Sequence, residues 1–167
     1  MKEPVSLQQI AEACGVTMHE KDRMARLLGI ALDEVAPGRA RVSMTVRDDM
    51  ANSIGTCHGG IIFALADCAF AYSCNSRNRK TVAAGAGIDF VSAARPGDRL
   101  TAIAEERALV GRTGIYDVRV VDQRDGLVAF FRGRARGVAG TVLSEPEEST
   151  DFEESAAPET AEKSKKR

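Results

Sequence analysis

The chain has 167 residues, 44% of them hydrophobic and 28% charged, which fits one soluble globular domain and excludes a fibrous or wholly disordered polypeptide. The net charge is −1, with residues 144–167 holding 8 acidic and 4 basic residues and the rest 16 acidic and 19 basic. A body of about +3 is too mild to argue for nucleic acid, though it suits a ligand carrying phosphates.

In chain order, the opening MKEPVSLQQIAEA is polar where a secretory leader is apolar. The longest apolar run, around 61–74, contains Asp67 and is shorter than the ~20 residues that span a bilayer, so the expectation is a cytoplasmic protein with no membrane partner. Ser6-x-x-Gln9 and Thr17-x-x-Glu20 have capping-box spacing, and Gly15 and Gly29 stand where helix C-terminal glycines belong. These signals predict helix over 7–14 and 18–28, separate or fused, with Met24, Leu27 and Leu28 as the apolar face. Strands over 30–36 and 39–46 flank the turn Pro37-Gly38. NSIGTCHGG (52–60) reads as a loop, and IIFALADCAFAYSC as a helix buried on most sides.

Four strands complete the pattern: TVAAGAGIDFVSA, RLTAIAEERALV, IYDVRVVD and LVAFFRGRARGV, separated by turns at 95–98, 111–114 and 123–126. Tight turns imply an antiparallel sheet, and one apolar helix among six strands is most economically covered by a sheet curved around it. The fold class is therefore α+β, with an N-terminal helical segment over 1–28 and the main domain over 29–140. Residues 141–167, rich in Glu, Ser, Ala and Pro, are expected to form an acidic, disordered tail. Trp is absent and aromatics are 5%, so the core should be mostly aliphatic. Cys14, Cys57, Cys68 and Cys74 show no CxxC spacing and no His/Cys cluster, which predicts buried thiols and no metal.

The chemistry concentrates between residues 52 and 67. CysHisGlyGly (57–60) precedes a helix whose free first-turn N–H groups carry partial positive charge, a place suited to an oxyanion. Asp67 lies mid-way along that apolar helix, where a carboxylate is costly and therefore a candidate general base or nucleophile. Asp67 and Gly59 are eight residues apart, about 12 Å along a helix, whereas a reacting carbonyl must lie about 3 Å from both attacker and oxyanion donor. Two copies of the helix running antiparallel across a dimer would bring the Gly59 end of one to Asp67 of the other.

From Glu20 to about Val138 the chain resembles the PaaI-type (phenylacetate-degradation) acyl-CoA thioesterases of the hot-dog superfamily. The pieces that carry the resemblance are EKDRMARLLGI, NSIGTCHGG, IIFALADCAFAYSCNSR, GIDF, RPGD and GRTGIYDVRV, above all HGG with an acid eight residues on. The resemblance implies a hot-dog fold, dimers formed through the edge strand around 82–91, and pairing of dimers into homotetramers. It implies hydrolysis of an acyl-CoA substrate, with aromatic acyl groups such as hydroxylated phenylacetyl favoured and no cofactor. Residue by residue, Asp67 activates water or attacks the thioester, the Gly59 N–H holds the carbonyl, Asn52 orients the water or acyl group, and His58 lines the pocket. Gly60 and Arg112 are further candidates for substrate binding, with Arg77 another arginine suited to CoA phosphates. Some relatives carry a Ser or Thr on the strand after the helix to help hold the water; here AlaAlaGlyAlaGly (83–87) offers no hydroxyl, which leaves that job to Asn52 alone, while the small side chains could equally widen the acyl pocket or permit close strand pairing.

Other readings are weaker. A hydratase on this fold would need Asp and His together on the helix, and no His occurs in 59–167. LQQIAEACGVT looks superficially like the start of a DNA-binding helix-turn-helix in an acyl-CoA-sensing regulator, but the acids of MHEKDRMARL and the near-neutral charge oppose DNA. A non-catalytic acyl-CoA-binding protein is a third reading. Asp89 is read as structural, pairing across strands, and a Cys57 nucleophile is disfavoured because no orienting third group accompanies His58.

Overall fold

The computed structural model describes residues 4–143, so nearly all of the acidic segment expected to be disordered lies outside the described residues. In order the elements are α1 (Leu7–Lys21), α2 (Arg23–Leu28), β1 (Ala31–Ala36), β2 (Arg39–Thr45), a 3₁₀ turn (Asp48–Met50), α3 (Gly59–Asn75), β3 (Thr81–Phe90), β4 (Arg99–Val110), β5 (Thr113–Val121) and β6 (Leu127–Gly137). No helix among the described residues is long and apolar enough to cross a membrane.

The N-terminal helices correct the sequence reading in three places. Ser6 and Gln9 do form a capping box, and Gly29 does close α2 in the left-handed conformation, with φ 68°. Gly15 and Thr17, however, lie inside one continuous α1. Gly15 is there for close approach: a Cβ at that position would sit 2.6 Å from Val35 Cγ2 of β1. The break falls instead at Asp22, whose side chain accepts from the Ala25 N–H and starts α2. The face of α2 that is buried is Ala25 and Leu28, while Met24 and Leu27 are 52% and 68% exposed.

The six strands form one antiparallel sheet in the order β1-β2-β4-β5-β6-β3. α3 touches all six, so the sheet curves round it. Period-two alternation puts Val42 and Met44, Leu100, Ala102 and Ala104, Val118 and Val120 on the inner face, all buried. Against them α3 sets Ile62, Leu65, Ala66, Ala69 and Phe70, and burying each of the large ones, Ile62, Leu65 and Phe70, contributes about 1.5–3 kcal/mol. The core is less purely aliphatic than the composition suggests. The Phe70 ring packs on Tyr116 and Phe131 with centroids 5.5 and 5.7 Å away, and Phe63 adds an edge contact to Phe131 at 5.2 Å. Gly133 makes room for Phe70, since a Cβ there would meet its ring at 2.8 Å.

On the outer face an ion-pair chain runs across four strands, from Arg39 to Glu105 to Arg107 to Asp117 to Arg132. Asp89 is opposite Phe130 in register, and among the described residues it forms no salt bridge. One feature of this architecture positions the site. The first strand after α3 crosses to the far edge of the sheet, leaving one side of β3 unpaired. All four cysteines are buried and free.

Candidate active site

The loop before α3 is held by its own backbone and by Asn52. The Asn52 N–H donates to the Thr56 carbonyl (2.7 Å) and the Gly55 N–H to the Asn52 carbonyl (3.0 Å). The Asn52 Oδ1 accepts from the Ile54 and Thr56 N–H groups at 3.0 and 3.1 Å, and its Nδ2 donates to Thr56 Oγ1 at 2.9 Å. Three bonds thus go to the loop itself, an Asx-turn arrangement, and one Nδ2 proton is left to point elsewhere. The Cys57 N–H donates to Ala94 and the His58 N–H to Met50, which pin the loop's exit to the body.

His58 is the N-cap of α3, and its Nδ1 accepts from the Gly60 N–H at 3.1 Å. The Ile61 and Ile62 N–H groups both donate to the His58 carbonyl. Among the described residues no acceptor meets the Gly59 N–H. The helix start therefore offers one amide of its first two to a ligand, that of Gly59, and withholds that of Gly60. Gly59 also lies under an aromatic ring: a Cβ there would sit 2.9 Å from Phe90 Cζ.

Gly59 and Asn52 share a cleft of about 390 Å³ whose other walls include Thr56, Ile62, Phe90 and Val91. A larger cleft, about 590 Å³, opens over the outer face of β3 and β6 around Gly85, Phe130, Arg132 and Arg134. Asp89 and the small residues 85–87 line it, but none of the catalytic candidates does. The smaller cleft is the candidate site.

Asp67 lies further along α3, on a stripe with Gly60, Ala64 and Ala71 that stays partly or fully exposed while most of the helix is buried. The i, i+4, i+7, i+11 spacing puts these four on one face. Burial pushes the Asp67 carboxyl above the usual carboxylate range, and the negative charge of Asp22 adds to the rise. Neighbouring thiols move the same way, with burial holding Cys68 and Cys74 up at about 12. Cys57 is raised by burial too, which keeps it a thiol rather than a nucleophilic thiolate.

The structure brings Asn52, Gly59 and the capping ring of His58 together at one end of α3, with Asp67 two turns away on the same helix. Arg112 stands elsewhere: it donates to the Gly137 carbonyl at 2.9 Å, beside Cys74 and Arg77 at the other end of α3. Arg77 is committed to Glu106 through contacts of 2.6 and 3.2 Å. The sequence reading missed Thr56, which supplies a hydroxyl beside Asn52, and Phe90, which walls the cleft. In GIDF the acid draws attention before the aromatic next to it.

Residues 54–129 match the family model described as the thioesterase superfamily. The chain is 44% identical over 128 residues to acyl-coenzyme A thioesterase PaaI of Escherichia coli strain K12, a match spanning 77% of this chain and 91% of that protein. The solved structure of E. coli PaaI superposes with a TM-score of 0.80 at 43% identity, covering 81% of this chain and 99% of the other. A mutant of phenylacetic acid degradation protein PaaI from Thermus thermophilus superposes with a TM-score of 0.68 at 38% identity, over 70% of this chain and all of that one (100%).

Proposed function

The chain belongs to the PaaI-type acyl-CoA thioesterases of the hot-dog thioesterase superfamily, and from that premise we propose how its own residues hydrolyse an acyl-CoA to the free acid and CoA. The thioester carbonyl oxygen accepts the Gly59 N–H at the start of α3. The Asp67 carboxylate from the second copy of the chain takes a proton from water attacking the carbonyl carbon and passes it to the departing sulfur. Alternatively it attacks that carbon itself, expelling the thiolate and forming a mixed anhydride that water then hydrolyses, freeing the acid and Asp67 while the water's proton goes to the sulfur. CoA leaves as its thiol. The remaining Nδ2 proton of Asn52 is directed at the attacking water or the acyl oxygen, and Thr56 holds Asn52 in that orientation.

The observation that carries this reading is the unsatisfied Gly59 N–H on the same helix as a half-buried carboxylate of raised proton affinity. An amide donor at a helix N-terminus stabilises developing negative charge where it forms, typically by some 10²–10³ in rate. A carboxylate with a raised pKa is the better base. The two lie about 12 Å apart along α3, too far for one thioester. The open edge of β3 and the partly exposed Gly60, Ala64, Asp67, Ala71 stripe of α3 both support a two-fold partner that pairs β3 with β3 and sets the helices antiparallel. The pairing of such dimers into a tetramer and a cytoplasmic location belong to the same proposal.

The cleft beside Gly59 supports an aromatic acyl group of the hydroxyphenylacetyl kind. Its volume suits one ring, and Ile62 and Phe90 supply the apolar and aromatic contacts that a flat acyl group prefers. His58 acts through the cap that orders α3, and Gly60 by leaving open space beside the ligand. Arg112 is directed at the phosphates of CoA. Free-thiol release from a panel of aryl- and alkyl-CoAs, run on the wild type and on Asp67→Asn, tests the assignment. The mutant should lose at least about 10²-fold in kcat with its oligomer intact; equal turnover would remove Asp67 from the mechanism.

A further inference from the structure

The N-terminal helices carry a second carboxylate to the back of α3. Asp22, between α1 and α2, uses Oδ1 to cap α2 at the Ala25 N–H, 2.9 Å away. Its Oδ2 faces α3, accepting from Tyr72 Oη at 3.1 Å and from Cys68 Sγ at 3.8 Å. Cys68 is the residue after Asp67, and Tyr72 is one turn further on. His19 of α1 closes the group, with Nδ1 3.2 Å from the Tyr72 hydroxyl.

A cap does not need a charge. Asn or Ser would serve α2 as well as Asp. A second anion beside a half-buried carboxylate is repulsive. The titratable groups facing this stretch of α3 are His19 from α1, Asp22 from the α1–α2 junction, and Cys68, Tyr72 and Cys74 on α3 itself. On the sheet that α3 packs against, Val42, Ala102 and Val118 are buried apolar residues. Tyr116 is bonded to Glu106, and Glu106 is taken up by Arg77. Because burial holds the Cys68 thiol and the Tyr72 hydroxyl well above their ordinary values, both stay protonated and keep donating to Asp22.

We infer that Asp22 is a positioning residue for the hydrolysis: its carboxyl group, held against the back of α3 by Tyr72 and by Cys68, the residue next to Asp67, tunes Asp67 as the base. The inference rests on the reading of Asp67 as the catalytic carboxylate. It gives the N-terminal helices a part in the chemistry, beyond covering α3. The rise in Asp67 owed to the Asp22 charge is in the direction required.

The experiment compares the full-length protein with Asp22→Asn and Asp22→Ser, both capping residues without charge, in a His19→Gln background that takes the imidazole out of the cluster. Two readouts are taken: the ¹³C-detected titration of the Asp67 carboxyl, and the pH profile of kcat/KM for thiol release. Loss of the Asp22 charge should move the Asp67 midpoint and the acid limb to lower pH by roughly half a unit to one unit. The plateau should fall several-fold as the base weakens. Tyr72→Phe, which loosens the carboxylate but keeps its charge, should shift both by much less. Folded Asp22 variants with an unmoved Asp67 midpoint would overturn the inference even if activity fell, because a structural role predicts that pattern. If the Asp67 midpoint stays put while Asp67→Asn is inactive, only the inference fails; if Asp67→Asn is fully active, the mechanism fails and takes the inference with it.

Discussion

Two glycines in this protein would give similar clashes on paper and opposite phenotypes in practice. A Cβ at Gly59 would lie 2.9 Å from Phe90 Cζ, and a Cβ at Gly133 would lie 2.8 Å from the Phe70 ring. Both overlaps are of about half an ångström or more against ordinary carbon contacts near 3.5 Å. They differ in what can yield. Phe70 is 1% exposed, clamped between α3 and the sheet, whereas Phe90 is 54% exposed and can swing away. Gly133→Ala should therefore cost the roughly 1–3 kcal/mol of an overpacked core, and at this size a fall in Tm of roughly 3–10 °C. Gly59→Ala should cost well under about 1 kcal/mol. Its damage should appear in turnover, because Phe90 leaves the acyl cleft and the amide donor shifts; a displacement approaching 1 Å costs about 10²-fold. Thermal melts and kcat for thiol release on the two variants separate the effects. Equal losses of Tm, or a Gly59→Ala enzyme with unchanged kcat, would refute the reasoning.

Asp67→Asn should make the protein more stable as well as inactive. A carboxyl whose folded-state pKa is raised costs stability once ionised, in full above that raised value, and the cost disappears as pH falls toward the unfolded value. The mutant's advantage in denaturant midpoint should accordingly be present at about pH 8 and shrink toward about pH 4; an advantage independent of pH would contradict the assignment. Phe90→Ala should lower kcat/KM for aryl-CoAs about tenfold more than for short alkyl-CoAs, the worth of one aromatic contact, and an unchanged ratio would remove Phe90 from the acyl site. Asp117 behaves in the opposite sense to Asp67: hydrogen bonds from Arg132, outweighing its burial, and from Arg107 hold it below the usual carboxylate range. Its contribution is present above the unfolded value and is lost as pH falls through the folded one. Asp117→Asn should flatten that acid-side loss of stability, measured by melts between about pH 2 and pH 5.

Most of the fold is legible in the sequence because its signals are local and agree with one another. Turn dipeptides, period-two strands and one run apolar all round fix six strands and a central helix, and all of them are present. The misreadings have a common cause. Gly15 looks like a stop signal because a helix C-terminus and a close helix–strand contact both call for glycine, and only the position of Val35 tells them apart. Met24 and Leu27 look like a buried face because six residues are too few for periodicity to set the rotation of a helix. At the site, HGG and Asp67 are visible because each breaks a local rule: a glycine pair at a helix start, and an acid in an apolar helix. Asp22, Thr56 and Phe90 break none. Each has an ordinary local reading as cap, turn or strand residue, and its role depends on partners 4 to 50 positions away in the chain, or on a ring over a glycine 31 positions back.

The central claim is that the Gly59 amide and the Asp67 carboxylate meet only across a two-fold axis. Gly59→Pro removes that amide at a first helical position whose backbone suits proline, with the exposed Phe90 ring yielding to the added Cβ, and Asp67→Asn removes the base. Each variant alone should be inactive. Mixing them and letting subunits exchange tests the claim most directly. A shared site predicts recovery to about a quarter of wild-type turnover, since half the dimers are mixed and each regains one intact site of two. A mixture as inactive as its components, with subunit exchange verified by differential tags, would contradict it.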